Sequence, residues 1–183
     1  MKFNETKIKD LIILEPRIFE DDRGYFVESF NQKKFEEICG KVLFVQDNES
    51  KSSKGVLRGL HFQKPPFDQA KLVRCIEGKV LDVVVDLRKR SQTYGQHISL
   101  ELSCKNKKQL FIPRGFAHGF LVLSEYAVFS YKVDNVYAPD YDSGICWNDK
   151  TLNIHWGVDE SQISVSEKDS KLSFFSDFKS PFI

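Results

Sequence analysis

The sequence has no CxxC pair, no excess of charge of either sign and no apolar run of membrane length. Its four cysteines, Cys39, Cys75, Cys104 and Cys146, lie far apart. Reduced, buried thiols fit that spacing better than zinc ligation or a disulfide framework, with one structural disulfide as the weaker alternative. There are 27 Lys plus Arg against 26 Asp plus Glu, a net charge of +1, so no whole-molecule field draws nucleic acid or an anionic membrane. The polar opening MKFNETKIKD is no signal h-region, and a cytoplasmic location is expected. No repeat, linker or low-complexity segment divides the 183 residues. One domain over residues 1–183 is expected, long enough for a full core.

What the chain does have is a rhythm of short alternating or β-branched stretches from about Leu11 to Tyr137. They are broken by turn residues such as Asp21-Asp22-Arg23-Gly24 and Glu77-Gly78. Val80 to Leu87 is the clearest strand. Leu81, Val83, Val85 and Leu87 share one face, Asp82, Val84 and Asp86 the other, and Ile98, Leu100 and Leu102 form the next alternating set. The acidic pair Asp82 and Asp86 reads as structural. One helix is expected from about Gln32 to Cys39, capped by Asn31, ended by Gly40, with Phe35, Ile38 and Cys39 on one face as an outer cover. After Tyr137 the pattern loosens into turns and short helices, with Phe174, Phe175, Phe178 and Phe182 packing over the barrel or a partner subunit. The class is all-β, a sandwich, jelly roll or closed barrel, and inward polar residues are then the site candidates.

Histidine is scarce, at four residues, and two of them sit in distinctive strings: GVLRGLHFQ, Gly55 to Gln63, and IPRGFAHGF, Ile112 to Phe120. Strict alternation puts Leu57, Gly59, His61 and Gln63 on one face and Arg58 on the other, so Arg58 and His61 diverge unless Gly59 marks a bulge. A lone histidine in a strand serves structure as readily as chemistry; beside Arg58, Gln63 and Lys71 the balance moves to function. Metal is the rival: His61, Gln63 and His118 form a conceivable donor set, but a second histidine two residues from His61 is missing. In Ala127 to Val133, the face of Ala127, Phe129 and Tyr131 delivers a phenol to the interior if it points inward; a core tyrosine bonded to backbone is the alternative.

The strings DDRGYFVESF (Asp21 to Phe30), VQDNESKSSKGVLRGLHFQ (Val45 to Gln63), QAKLV (Gln69 to Val73), DVVVDLR (Asp82 to Arg88) and IPRGFAHGFLVLS (Ile112 to Ser124), with Tyr131 and ICWND (Ile145 to Asp149), resemble dTDP-4-dehydrorhamnose 3,5-epimerases. The agreement runs in order over nearly the whole chain. The resemblance implies a metal-free, cofactor-free, cupin-type jelly-roll β-barrel with a few short peripheral helices, a homodimer, acting on a dTDP-linked 4-keto-6-deoxyhexose. It makes His61 similar to the general base, Asp169 to the carboxylate paired with it and Tyr131 to the acid. Arg23, Glu28, Gln46, Asn48, Arg58, Lys71 and His118 match positions lining the nucleotide-sugar site. Phe26 joins that set as a contact to base or sugar, as does Tyr137, although in a chain with 16 Phe the core is the default place for an aromatic. Asp142, standing where the family pattern has a glutamate, and Lys168 complete the substrate-binding residues.

The residue types suit the reaction so implied. Inverting a carbon beside a ketone requires a base near working pH, a stabilised enolate and a proton returned to the opposite face, without a redox cofactor. His61 steadied by Asp169 supplies the first, Lys71 at the C4 oxygen the second, and Tyr131 the third, while Arg23 and Arg58 suit a diphosphate. Four other outcomes stay open: inversion at one centre only, a related nucleotide or deoxysugar as substrate, a noncatalytic sugar-nucleotide binder, and a metal-dependent cupin.

Overall fold

The computed structural model describes residues 1–183, and its backbone is mostly antiparallel sheet. The chain runs through β1 (Lys2–Glu5), β2 (Ile12–Glu15), the hairpin β3 (Ile18–Asp21) and β4 (Gly24–Val27), and helix α1 (Gln32–Cys39). There follow β5 (Gln46–Ser53), β6 (Leu57–Gln63), β7 (Lys71–Glu77), β8 (Lys79–Asp86) and β9 (His97–Ser103). β10 (Gln109–Ile112), β11 (Phe116–Val122), β12 (Tyr126–Val133) and the short β13 (Asp142–Gly144) complete the strands, and four single-turn helices punctuate the rest. One sheet has the order β1-β2-β10-β7-β12-β5 and the second β13-β6-β11-β8-β9; β3 and β4 pair only with each other.

The two large sheets enclose the first core. Val73, Leu110, Ile112, Ala127 and Phe129 come from one sheet, and Val80, Val84, Leu102, Phe120 and Val122 from the other. β8 is buried on both faces, because its other side, with Val83 and Val85, packs against Leu152, Trp156 and Phe182 of the C-terminal segment. That is why Val80 to Leu87 reads as a nearly continuous apolar run rather than a half-polar one. The segment after β13 therefore covers the five-stranded sheet. Helix α1 covers the six-stranded one.

The helix begins and ends where its capping residues place it. The Asn31 side chain accepts from the Lys34 amide at 3.2 Å, and Gly40, at φ +79°, returns its amide to the Glu36 carbonyl. Phe35 is completely buried among Phe30, Phe44 and Phe111, with ring centroids 5.0 to 5.7 Å away. Burying that ring contributes roughly 2 kcal/mol, enough to hold an eight-residue helix that would not persist alone. The expected helix face is narrower than its sequence: Cys39 is half-buried but Ile38 is exposed. All four cysteines are free thiols, and burial pushes Cys39 up to about 11 and Cys75 up to about 12. No helix is long and apolar enough to cross a membrane.

Candidate active site

The pairing of β6 with β11 shifts register at Gly59. On β11, His118 pairs with His61, but Phe120, two residues on, pairs with Arg58, three residues back on β6. The extra residue is a bulge, and Gly59 takes φ +136° within it. The backbones are close there: a Cβ on Gly59 would lie 2.5 Å from the Gly119 Cα, and one on Gly119 2.8 Å from the Arg58 carbonyl oxygen. The bulge turns β6 so that Arg58 and His61, which strict alternation separates, line the same cavity.

That cavity, of about 510 Å³, opens between the sheets and is lined by Arg58, His61, Lys71, His118, Tyr131, Lys168 and Asp169. His61 Nε2 meets Asp169 Oδ1 at 2.7 Å, and the Gly59 amide donates to Asp169 Oδ2 at 3.3 Å. Burial works against the Asp169 carboxylate, yet the His61 hydrogen bond and charge, with Gly59 and Ser166, hold it below the usual range. With Nε2 committed to Asp169, Nδ1 is the imidazole atom left to take a proton. Lys71, half-buried, is pushed down to about 8 by burial, with Asp142 and Asp82 acting in the opposite sense. Burial also raises Tyr131, so its phenol keeps its proton at neutral pH. The face of Ala127, Phe129 and Tyr131 points inward, and Tyr131 lines the cavity.

The remaining candidates divide into two groups. Register sets Gln46 beside Val133 and Asn48 beside Tyr131, and the Gln46 amide donates to Asn48 Oδ1 at 2.8 Å. Arg58 Nε donates to Ser52 Oγ at 3.0 Å and has no carboxylate partner. Asp142 accepts from the Tyr137 hydroxyl at 2.9 Å and from the Lys168 ammonium, both of which it holds above their ordinary values. Of this first group only Arg58 and Lys168 line the cavity; Gln46, Asn48, Tyr137 and Asp142 do not, nor do Arg23, Phe26 and Glu28, which form the second group. Arg23 pairs with Asp21 and its side chain is 88% exposed, Glu28 pairs with Lys34, and Phe26 is 68% exposed. Phe26 and Tyr137 are thus both outside the core, against the default for aromatics.

The partner of one cavity residue, His118, escaped the sequence reading. Asp82, which the sequence reads as structural, is fully buried and accepts from His118 Nε2 at 2.8 Å. The signal was available, because an aspartate in a strand apolar on both faces needs an internal partner. The lining by Ser164, Val165 and Ser166 had no such signal, since it depends on the C-terminal segment returning beside β6, with the Leu57 amide bonded to the Ser164 carbonyl.

A family profile described as dTDP-4-dehydrorhamnose 3,5-epimerase matches residues 5–177. The chain belongs to this family of epimerases. The dTDP-4-dehydrorhamnose 3,5-epimerase of Escherichia coli is 56% identical over 173 residues, covering 94% of this chain and 93% of the relative. The crystal structure of the Elizabethkingia anophelis dTDP-4-dehydrorhamnose 3,5-epimerase is 55% identical, superposes with a TM-score of 0.93 and covers 97% of both chains. That of a Legionella pneumophila 3,5-epimerase in complex with dTDP-4-keto-L-rhamnose is 45% identical with a TM-score of 0.93, covering 97% of this chain and 94% of that one. The fold of these epimerases is the cupin jelly roll, which is the architecture of this chain.

Proposed function

We propose that this chain, acting as one domain, epimerises dTDP-4-dehydro-6-deoxy-D-glucose at C3 and C5 to give dTDP-4-dehydro-L-rhamnose. The observation that carries the reading is the His61–Asp169 couple, 2.7 Å apart, sharing one cavity with the Lys71 ammonium and the Tyr131 phenol. His61 Nδ1 takes the proton from the carbon next to the C4 ketone, and Asp169 stabilises the imidazolium that forms. Negative charge moves to the C4 oxygen, where Lys71 donates. Tyr131, kept protonated by burial, returns a proton from the other side. Arg58, free of any carboxylate, suits the diphosphate, and Gln46, Asn48, His118, Asp142 and Lys168 bind the nucleotide sugar around it. Two inversions follow if the sugar turns to present each carbon in succession. The free, partly buried thiols support a cytoplasmic setting.

The test is proton NMR of the substrate in deuterated water with a trapping reductase. Wild-type enzyme is expected to place deuterium at both C3 and C5 and to yield L-configured product. Exchange at one carbon alone makes it a single-centre enzyme, and binding without exchange makes it a noncatalytic binder. Tyr131→Phe is expected to slow net inversion far more than proton wash-out, because removal and return use different groups. Equal loss of both refutes that division.

The enzyme acts as a homodimer in which the β3–β4 hairpin of one protomer completes the cavity of its partner. Support comes from a hairpin that joins neither large sheet and exposes Phe19, Tyr25 and Phe26 beside an outward Arg23. Arg23 then adds a second guanidinium to the diphosphate site, and Phe26 and Glu28 come with it. Mixing inactive His61→Asn protomers with inactive Arg23→Ala protomers is expected to restore about a quarter of wild-type activity, since each hybrid dimer holds one intact site. No recovery on mixing refutes the exchange.

A further inference from the structure

His118 lies directly across the β6–β11 ladder from His61, so two imidazoles stand side by side in the cavity wall. Each has a carboxylate at Nε2, Asp169 for His61 and Asp82 for His118. The surroundings of the two carboxylates differ. Asp169 has a second donor in the Gly59 amide, whereas Asp82 has only His118, and its Oδ1 is sealed from solvent without any partner. A bare oxygen on a buried carboxylate costs stability and calls for a physical reason.

The cation within its field is Lys71. The charges of Asp142 on β13 and Asp82 on β8 both favour that ammonium, and the Tyr131 ring on β12 lies 5.7 Å away; Glu49 on β5, Arg58 and His61 on β6, His118 on β11, Lys168 and Asp169 line the same cavity. Of the two carboxylates, Asp142 is already engaged by Tyr137 and Lys168. The charge on Asp82 Oδ1 is not shared with any donor.

We propose that Asp82 is a positioning residue for the enolate side of the site: Oδ2 fixes the His118 ring with Nδ1 free for substrate, and Oδ1 supplies the counter-charge of the Lys71 ammonium. This rests on Lys71 and His118 meeting the substrate as proposed above. Asp82 itself touches no reacting atom. Its effect passes through two neighbours, one held in orientation and the other in charge.

Asp82→Asn keeps the shape and removes the charge. In enzyme carrying ¹³C-labelled lysine, the Lys71 titration is expected about one pH unit lower than in the wild type, and the alkaline limb of kcat/KM to move down with it. A limb and a Lys71 titration that stay in place, with activity reduced equally at every pH, overturn the proposal and leave Asp82 a structural residue. Lys71→Met separates the two levels of the argument. Near-normal turnover by that variant refutes the role of Lys71 itself, whereas its loss beside an unmoved limb in Asp82→Asn refutes the proposal alone. If Asp82→Asn does not fold, Asp82→Glu is the second test: it keeps the charge and is expected to hold the Lys71 titration at the wild-type position, and displacement of that titration overturns the proposal.

Discussion

Asparagine in place of His61 is expected to lower kcat by about a hundred- to ten-thousand-fold, the range a positioned general base contributes, with the fold intact. His61 is partly open to the cavity, so its replacement leaves no void in either large core, and Asp169 retains the Gly59 amide as a donor. Deuterium uptake at C3 and C5 and net inversion are both expected to fall, because removing the proton precedes every later step. This is the difference from Tyr131→Phe. Turnover near the wild-type rate in a folded His61→Asn protein refutes the base assignment. Asp169 adds a dependence on acid. Its carboxyl lies below the ordinary range in the folded protein, so the stability it contributes is present above the unfolded carboxylate value and is lost as the pH falls through the folded one.

How far such a site can be read before folding depends on how local each cause is. Helix α1 follows from three adjacent signals, Asn31, Phe35 and Gly40, each acting within a turn or so. The period of a strand puts Tyr131 on the face of Ala127 and Phe129 but does not say that this face is inward, and it leaves Arg58 and His61 apart; the bulge at Gly59 that joins them is seen only in the register. Asp169 is different. It lies 108 residues from His61, and only the family resemblance, not any spacing, joined them.

What the sequence leaves unread has equally specific causes. The pairing of Asp82 with His118 was hidden because alternation gives a side chain's face and not its neighbour across the sheet; His118 reaches it from β11. Ile38 shares the angular face of Phe35 yet is exposed, because angular position alone does not say how wide the cover is; the contact is centred on Phe35. Arg23, Phe26 and Glu28 matched site positions by pattern, yet the hairpin holds them outside this chain's cavity. A motif records which residues act together and is silent on whether one protomer brings them all.

Methionine in place of Lys71 is expected to cost activity while favouring the fold. Removing a donor aimed at a developing oxyanion typically lowers kcat by about a hundred- to a thousand-fold, and methionine retains length and apolar contact but cannot donate. Burial is what makes the lysine costly to keep: it is pushed down to about 8 from its ordinary 10.5, so folding opposes its charge. The sign follows from that order. Below pH 8 the folded protein must hold a desolvated ammonium that the unfolded chain hydrates freely, and the penalty fades as the pH rises from 8 towards the unfolded value. Lys71→Met is therefore expected to melt no lower than the wild type at pH 7, and a clear fall in Tm refutes this account of its burial. Catalysis requires the same proton that stability resists. The kcat/KM of the wild type is expected to decline above pH 8 as Lys71 loses it, and Lys71→Arg, charged throughout that range, is expected to remove the limb even where its longer side chain lowers the plateau.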